Sequence, residues 1–226
     1  MNDINTENRS VQILSAGVRL EGTISIPDDP KGLVVFIHGS GSSHHSPRNQ
    51  YVAQTLQDGG LATLLFDLLT ISEETMDLRT RYLRFDIDLL ARRTAGVLEW
   101  LDLQPFAYEL KRGLFGASTG AAAALIAAVE LPDKVSAIVS RSGRPDLADE
   151  ALAKVRAPTL LIVGGDDEAV IDLNEQALAQ MQLGIDKKLM IVPGASHLFE
   201  EPGTLEQGAE LARDWFLAHL SPVSVR

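Results

Sequence analysis

Short apolar runs alternate with amphipathic stretches along this chain. Residues 18–26 alternate apolar and polar positions, which predicts a half-buried strand, and residues 11–14 form a second strand that pairs with it across a Ser-Ala-Gly turn. Continuous apolar runs, which favour strands buried on both faces, follow at residues 33–37, 62–66, 114–115, 135–139, 160–163 and 189–192. The pattern therefore predicts eight strands, of which the first two form an antiparallel N-terminal hairpin.

Helical patterns lie between these runs. The apolar residues from Ile87 to Leu101 recur at helical spacing and predict an amphipathic helix. Helix-start signals occur at Ser46-Pro47, at Asp172 with Glu175, and at Thr204 with Gln207. Strands that alternate with helices predict one α/β domain over residues 1–226, with a mostly parallel sheet and helices on both faces. In such sheets, ligands bind beyond the carboxyl ends of the strands.

The clearest chemical motif follows the strand at 114–115. Residues 116–120 read Gly-Ala-Ser-Thr-Gly and precede a run of small residues that predicts a helix. In this G-x-S-x-G turn a strained backbone pushes the serine hydroxyl out of the sheet, and the glycines leave room for it. The helix start behind the turn carries partial positive charge, which favours a developing oxyanion. Ser118 is therefore the candidate nucleophile.

A serine nucleophile needs a base, and a base needs a group that orients it. His197 follows the last predicted strand and is the candidate base, because it lies at the correct edge of the sheet and late in the chain. Two carboxylates, Asp166 and Asp167, follow the strand at 160–163. Asp167 is the preferred orienting acid because it lies farther from the strand; Asp166 is the alternative, and Asp146 is a more remote one.

An oxyanion site needs two converging N–H donors. One is expected from the backbone of Thr119, next to the nucleophile. The other is expected from the glycine-rich stretch His-Gly-Ser-Gly that follows the third strand, with Ser40 preferred and Gly41 as the alternative. This stretch lacks the lysine and the spacing of a phosphate-binding P-loop.

Composition excludes several classes of function. The formal net charge of −11 argues against binding to nucleic acid or to an anionic membrane. The absence of cysteine excludes disulfides, thiolate metal ligands and a cysteine nucleophile. The N-terminus lacks the pattern of a secretory signal, and no apolar run approaches the roughly 20 residues of a membrane helix. We therefore expect a cytoplasmic protein without metal or cofactor, for which a homodimer remains possible.

Taken together, these motifs resemble those of the α/β-hydrolase superfamily over nearly the whole chain. Within it the chain is similar to the dienelactone hydrolase-related proteins, which are small and lack a large cap domain. Dienelactone hydrolase itself uses a cysteine where this chain has Ser118. The chain also resembles the hydrolase module that some proteins carry beside a phosphoribosyltransferase domain. The resemblance implies hydrolysis of a small ester, lactone or thioester, in the carboxylic-ester hydrolase class (EC 3.1.1), without a cofactor.

Several cationic side chains follow strands and could shape the substrate. Arg141 and Arg144 lie just past the predicted strand at 135–139, and Arg48 follows the glycine-rich loop. They could hold a carboxylate or phosphate of an anionic substrate, or pair with neighbouring acids. One of His44 and His45, with His45 preferred, is expected at the mouth of the pocket.

Two other functions are compatible with the same residues. A cofactor-free perhydrolase or acyltransferase would use the same three side chains and pass the acyl group to peroxide or an alcohol. A non-catalytic binding module would keep the fold and bind a ligand without releasing product from activated esters. A nucleotide-binding α/β protein is disfavoured, because the phosphate-binding loop is absent.

Overall fold

The computed structural model describes residues 6–222, so residues 1–5, where the polar N-terminal stretch begins, lie outside the described residues. Eight strands of the described chain form one sheet, in the order β1-β2-β4-β3-β5-β6-β7-β8. They are β1 (Thr6–Ser15), β2 (Val18–Pro27), β3 (Leu33–Ile37), β4 (Ala62–Phe66), β5 (Arg112–Ala117), β6 (Ala137–Arg141), β7 (Thr159–Gly164) and β8 (Lys187–Val192). The predicted eight-stranded sheet is confirmed.

The sheet is mixed only at one side. β1 and β2 form the predicted antiparallel hairpin, and β2 also pairs antiparallel with β4. From β4 to β8 all neighbouring strands are parallel. β6 ends two residues later than predicted, because its pairing continues to Arg141, opposite Ala117 on β5 and Ile162 on β7. Arg141 therefore lies on the strand end itself, beside the start of the serine turn.

Six α-helices connect the strands: α1 (Pro47–Asp58), α2 (Ile71–Thr80), α3 (Ile87–Leu101), α4 (Thr119–Glu130), α5 (Glu168–Gln180) and α6 (Thr204–Leu220). Ser46 caps α1 as predicted, since its side chain accepts from the N–H of Asn49. The predicted start at Asp172 is wrong: α5 begins four residues earlier, and the Asp167 carbonyl already accepts from the N–H of Ile171. α6 begins at Thr204, but the capping box predicted there does not form, because Gly203 is the N-cap and the Thr204 hydroxyl donates to the carbonyl of Glu201.

Helices cover both faces of the sheet, as predicted. On one face α3 and α4 contribute the apolar core, together with part of α5 and a 3₁₀ segment at Pro145–Lys154. On the other face α1 and α6 pack against the sheet and each other, around Val52, Leu56 and Phe216. The run of small residues at the start of α4 is fully buried, so this helix packs close to the sheet.

No large cap domain interrupts the described chain. Between β4 and α3 stand only α2 and a 3₁₀ turn at Leu83–Phe85, and between β6 and β7 only the segment Pro145–Lys154. None of the helices within residues 6–222 is both long enough and apolar enough to cross a membrane.

Candidate active site

Ser118 lies in the sharp turn between β5 and α4. Its backbone adopts φ 49° and ψ −121°, a conformation that non-glycine residues rarely populate. The surrounding backbone holds this strain. The N–H of Ser118 donates to the carbonyl of Arg141 at 3.3 Å, and its own carbonyl accepts from the N–H of Arg144 at 3.0 Å. A strained backbone held by hydrogen bonds in this way is what the sequence motif predicts for a serine exposed at the end of a strand.

Close backbone contacts explain the glycines of this turn. A Cβ on Gly116 would lie 2.5 Å from the Cα of Ala121, and one on Gly120 would lie 2.2 Å from the carbonyl oxygen of Ile37. A Cβ on Gly39, in the loop after β3, would lie 3.0 Å from the Cβ of Ser118. The loop after β3 therefore presses directly against the candidate nucleophile.

His197 and Asp167 come from two adjacent loops, after β8 and β7. The His197 Nδ1 and the Asp167 Oδ2 lie 2.6 Å apart. The loops are joined by backbone hydrogen bonds, since the N–H of Asp166 donates to the carbonyl of Ala195 at 3.0 Å. The Asp166 side chain is exposed, so the alternative acid is not the one against the imidazole. With Nδ1–H donating to Asp167, Nε2 remains available to accept a proton.

Ser118 and His197 line the same cavity of about 270 Å³, together with Ser40 and Arg141. Within the described residues, the Ser118 hydroxyl makes no hydrogen bond to the imidazole. Such bonds are often long without substrate and tighten when it binds. The fold thus brings the three predicted side chains to one edge of the sheet, with His197 bonded to Asp167 and facing the cavity of Ser118.

The two predicted oxyanion donors lie next to each other. The backbone N–H of Ser40 donates to the Thr119 hydroxyl at 3.1 Å. Thr119 itself is buried at the first position of α4, where backbone N–H groups have no partner inside the helix. The Ser40 N–H therefore points toward the start of α4, where the Thr119 hydroxyl is its acceptor.

A buried imidazole holds the loop that carries Ser40. The His38 Nε2 accepts from the N–H of Leu68 at 3.0 Å, and its Nδ1 lies 2.8 Å from the carbonyl of Gly39. Burial lowers the pKa of His38, against the smaller opposing effect of the Gly39 hydrogen bond. A neutral imidazole with its proton on Nδ1 satisfies both contacts.

The remaining predicted contact residues differ in their positions. Gly41 has a positive φ of 72° and faces a second, smaller cavity behind the loop. His45 is exposed and stacks on His44, with ring centroids 3.7 Å apart, and neither ring lines the cavity of Ser118. The Arg144 guanidinium makes two hydrogen bonds to Asp146, at 2.9 and 2.7 Å. Arg144 and Asp146, the most remote of the three candidates for the orienting acid, are therefore paired with each other.

Sequence reasoning gave no site role to four polar residues that line the cavity: Ser42, Ser46, Asn49 and Ser142. Asn49 lies in the first turn of α1, and Ser142 follows β6 with a positive φ of 43°. The Ser46-Pro47 cap predicted where α1 starts but not that this start faces Ser118. Ser142 carries no local signal, because its position depends on how far β6 runs. No three His, Cys, Asp or Glu side chains within residues 6–222 are grouped to hold a metal ion.

Comparisons with known proteins agree with this architecture. The model of the alpha/beta hydrolase fold family matches residues 32–157. A crystal structure of dienelactone hydrolase from Anabaena variabilis is 57% identical, superposes with a TM-score of 0.93, and is matched over 95% of this chain and 99% of its own. The structure of Est1E from Butyrivibrio proteoclasticus shares the fold at 18% identity, with a TM-score of 0.77 over 92% of this chain and 98% of its own.

Two curated relatives come from strains of Mycobacterium tuberculosis and are provisionally named phosphoribosyl transferases. Each is 54% identical over 213 residues, which cover 94% of this chain and 47% of the relative. This chain therefore spans about half the length of the curated relatives it matches. From the family match and the Anabaena structure together, the chain belongs to the α/β-hydrolase family, as a dienelactone hydrolase-like member.

Proposed function

We propose that this chain is a serine hydrolase that cleaves a small ester, lactone or thioester through an acyl-enzyme intermediate. One observation carries the proposal. Ser118 stands in a strained turn and lines the same cavity as His197. The Nδ1 of His197 lies 2.6 Å from the Asp167 carboxylate. A hydroxyl, an imidazole and a carboxylate in this relation are the parts of a nucleophile, a base and an orienting acid.

The first half-reaction forms a covalent intermediate. The Ser118 oxygen attacks the substrate carbonyl while the His197 Nε2 takes the hydroxyl proton, and the carbonyl π electrons move onto the oxygen. Asp167 stabilises the imidazolium that forms, through the hydrogen bond to Nδ1. As the tetrahedral centre collapses, the bond to the leaving group breaks, and His197 delivers its proton to the departing alcohol or thiol. The acyl group then remains on Ser118.

The second half-reaction regenerates the enzyme. His197 removes a proton from a water molecule, whose oxygen attacks the acyl carbon and forms a second tetrahedral centre. This centre collapses by breaking the bond to Ser118, which takes back the proton from His197. In a lactone the leaving alcohol stays attached to the acyl part, so the product is a single hydroxy acid.

The backbone N–H groups of Ser40 and Thr119 are the proposed oxyanion donors. The close contact between the loop after β3 and Ser118 supports this assignment, because it keeps the Ser40 N–H beside the start of α4. One such donor contributes about 3 kcal/mol of transition-state stabilisation. The connections after β4 and β6 support a substrate that is small, since residues 6–222 form no large cap over the cavity.

The relatives support hydrolysis rather than phosphoribosyl transfer. The Anabaena protein, named a dienelactone hydrolase, shares 57% of its sequence with this chain over 99% of its length. The matched region makes up only 47% of the proteins named phosphoribosyl transferases. A strained serine with a histidine and a carboxylate is the apparatus of acyl transfer.

Active-site labelling combined with a substrate panel tests the proposal. A fluorophosphonate probe should label the wild-type protein, and p-nitrophenyl esters, aryl lactones and thioesters of short acids should be hydrolysed. Ser118→Ala should lose labelling and lower kcat by about 10⁴-fold or more. Ser10→Ala, which changes an exposed serine on β1, should behave as wild type. A folded wild-type protein that is neither labelled nor active on any member of the panel would overturn the proposal.

A further inference from the structure

Arg141 is a buried cation that has no hydrogen-bond partner among residues 6–222. It is the last residue of β6, beside Ala117 of β5, and only 7% of it is exposed. Its Nε and Nη1 atoms are buried and form no hydrogen bond with any described residue. Its guanidinium carbon lies over the Phe115 ring, 5.8 Å from the ring centre, within the range of a cation–π contact.

The other buried arginines of the described chain have acceptors. Arg93 donates to the carbonyl of Leu68 and to Glu73, and Arg112 donates to the carbonyl of Leu98 and to Asp102. Arg144, three residues after Arg141, is paired with Asp146. A buried charge is normally kept only where a counter-charge or hydrogen bonds offset its desolvation. Arg141 departs from this rule at the place where the proposed chemistry occurs.

The surroundings of Arg141 add positive potential. Arg141 and Arg48 both line the cavity of Ser118 and His197. Arg48 lies in the first turn of α1, where the start of the helix carries partial positive charge. Burial first, and then repulsion by Arg48, lower the pKa of Arg141 to about 10. Among residues 6–222, the one acid paired with either arginine is Glu200, 3.4 Å from Arg48; the Glu200 side chain is 64% exposed and that of Arg48 38%. Exposed pairs of this kind stabilise little and exchange readily.

The Ser142 hydroxyl provides a neutral donor in the same place. It is buried, lines the cavity and has no hydrogen-bond partner among the described residues. Two guanidinium groups and a hydroxyl around one cavity match the several lone pairs of a carboxylate or a phosphate.

We propose that Arg141, with Arg48 and Ser142, forms a subsite for an anionic oxygen group on the substrate, so that the natural substrate is an ester or lactone that also carries a carboxylate or a phosphate. The position of this group relative to the reacting carbonyl rests on the proposed function, because Ser118 and the subsite share the cavity. Arg141 then acts as a specificity-determining residue whose missing partner is supplied by the substrate.

Ligand binding tests the subsite without any catalysis. We would measure thermal unfolding of the full chain with inorganic phosphate and with glutarate, at constant ionic strength, for wild type, Arg141→Met and Arg144→Met. Phosphate or glutarate should raise the Tm of wild type and of Arg144→Met, and should not do so for Arg141→Met beyond the general effect of the salt. The anion that gives the larger shift distinguishes a phosphate from a carboxylate as the group recognised.

The stability of the variant without ligand separates a binding role from a structural one. If Arg141 serves the fold, Arg141→Met should unfold at a lower temperature than wild type. If it waits for a substrate anion, removing the unpaired charge should leave the Tm equal or higher. Arg141→Lys keeps the charge but loses the planar guanidinium, so it should keep part of the anion-dependent rise in Tm. This variant is the control for the case in which Arg141→Met does not fold.

Kinetics on matched esters complete the test. Mono-p-nitrophenyl glutarate and its neutral methyl ester place the charge on the acid side, and 4-acetoxybenzoate and its methyl ester place it on the alcohol side. Wild type should prefer one anionic ester over its neutral match by tenfold or more in kcat/KM, and Arg141→Met should abolish that preference while Arg144→Met keeps it. Hydrolysis without any charge preference, together with no anion-dependent rise in Tm, overturns the subsite alone. Absence of all hydrolysis alongside an Arg141-dependent rise in Tm overturns the proposed function and leaves the subsite standing.

Discussion

At the scale of single residues, two neighbouring aspartates have different surroundings. Asp167 is partly buried with its carboxylate against the imidazole of His197, whereas Asp166 is exposed and contributes its backbone N–H to the loop of Ala195. The Asp167 carboxylate fixes the tautomer and the orientation of the His197 ring. The Asp166 carboxylate faces solvent, so only Asp167 can act on His197.

Exchanging each aspartate for asparagine should therefore give unequal results. Asp167→Asn should lower kcat on p-nitrophenyl acetate by about 10³–10⁴-fold, because an amide cannot stabilise the imidazolium and favours the wrong tautomer. Asp166→Asn should remain close to wild type. Steady-state kinetics of the two variants, with circular dichroism to check the fold, decide the matter. Equal losses in both would contradict the assignment of Asp167.

At the scale of elements, the serine turn is a junction of backbones. Ser118 follows β5, and the start of α4, which is the positive end of the helix dipole, lies at the site. The loop after β3 contacts both Ser118 and the start of α4. Gly120 lies where these three meet, since its Cβ would fall 2.2 Å from the Ile37 carbonyl and 2.6 Å from that of His38. Because both neighbours are backbone atoms, the clash cannot be relieved by rotating a side chain.

Gly120→Ala should consequently disturb both stability and chemistry. We expect the free energy of unfolding to fall by about 1–3 kcal/mol, as for other overpacked sites, and the esterase rate to fall because the loop of Ser40 must move. Gly208→Ala in α6 is the matched control, since there the Cβ would meet only the Phe199 ring at 3.2 Å. Urea denaturation measures the difference. A Gly120→Ala protein as stable as Gly208→Ala would show that the contact is softer than the geometry indicates.

At the scale of the whole molecule, the stability contributions of three buried or half-buried groups, Asp77, Glu73 and His38, respond to acid in the same direction. Burial tends to raise the pKa of Asp77, but hydrogen bonds from Arg84 and from the N–H of Leu83 outweigh it and leave the pKa below the ordinary 3.8. The same balance, with Arg93 as donor, lowers the pKa of Glu73 below 4.5. Carboxylates of this kind stabilise the fold fully above their ordinary pKa values, and that contribution is lost as the pH falls from those values through the lowered pKa values of the folded protein.

His38 extends the effect to milder acid. Its pKa is lowered below 6.5 by burial, so the unfolded chain takes up a proton first as the pH falls through that value. Stability should thus decline from about pH 6.5 downward and more steeply below about pH 4.5, where the carboxylates add to it. The Tm measured across this range should show both phases. His38→Gln should flatten the upper phase, while His45→Gln, which changes an exposed ring, should not; a Tm that rises on acidification would contradict the scheme.

Much of this molecule could be read from local pattern. Apolar runs located the strands, the Gly-Ala-Ser-Thr-Gly turn located Ser118, and chain order pointed to His197. The ends of strands and helices are harder to predict from local pattern. The apolar run at 135–139 predicts an end of β6 that is two residues early, because strand length depends on pairing with β5 and β7 rather than on the apolarity of the strand itself. The pair Asp172 and Glu175 predicts a start of α5 that is too late, because a spacing of three between acidic residues also occurs inside helices.

The amino-acid sequence by itself determined the layered α/β architecture and the strand ends where the chemistry-bearing residues stand, since periodicity and glycine spacing act over a few residues. Tertiary structure decided which of those residues meet. It set the Asp167 carboxylate rather than that of Asp166 against His197, engaged Arg144 with Asp146, and left Arg141 in the cavity of Ser118 with no acceptor from the described part of the chain. The physical reason is that partners of a buried charge come from elements distant along the chain, and only their packing determines whether an acceptor reaches it.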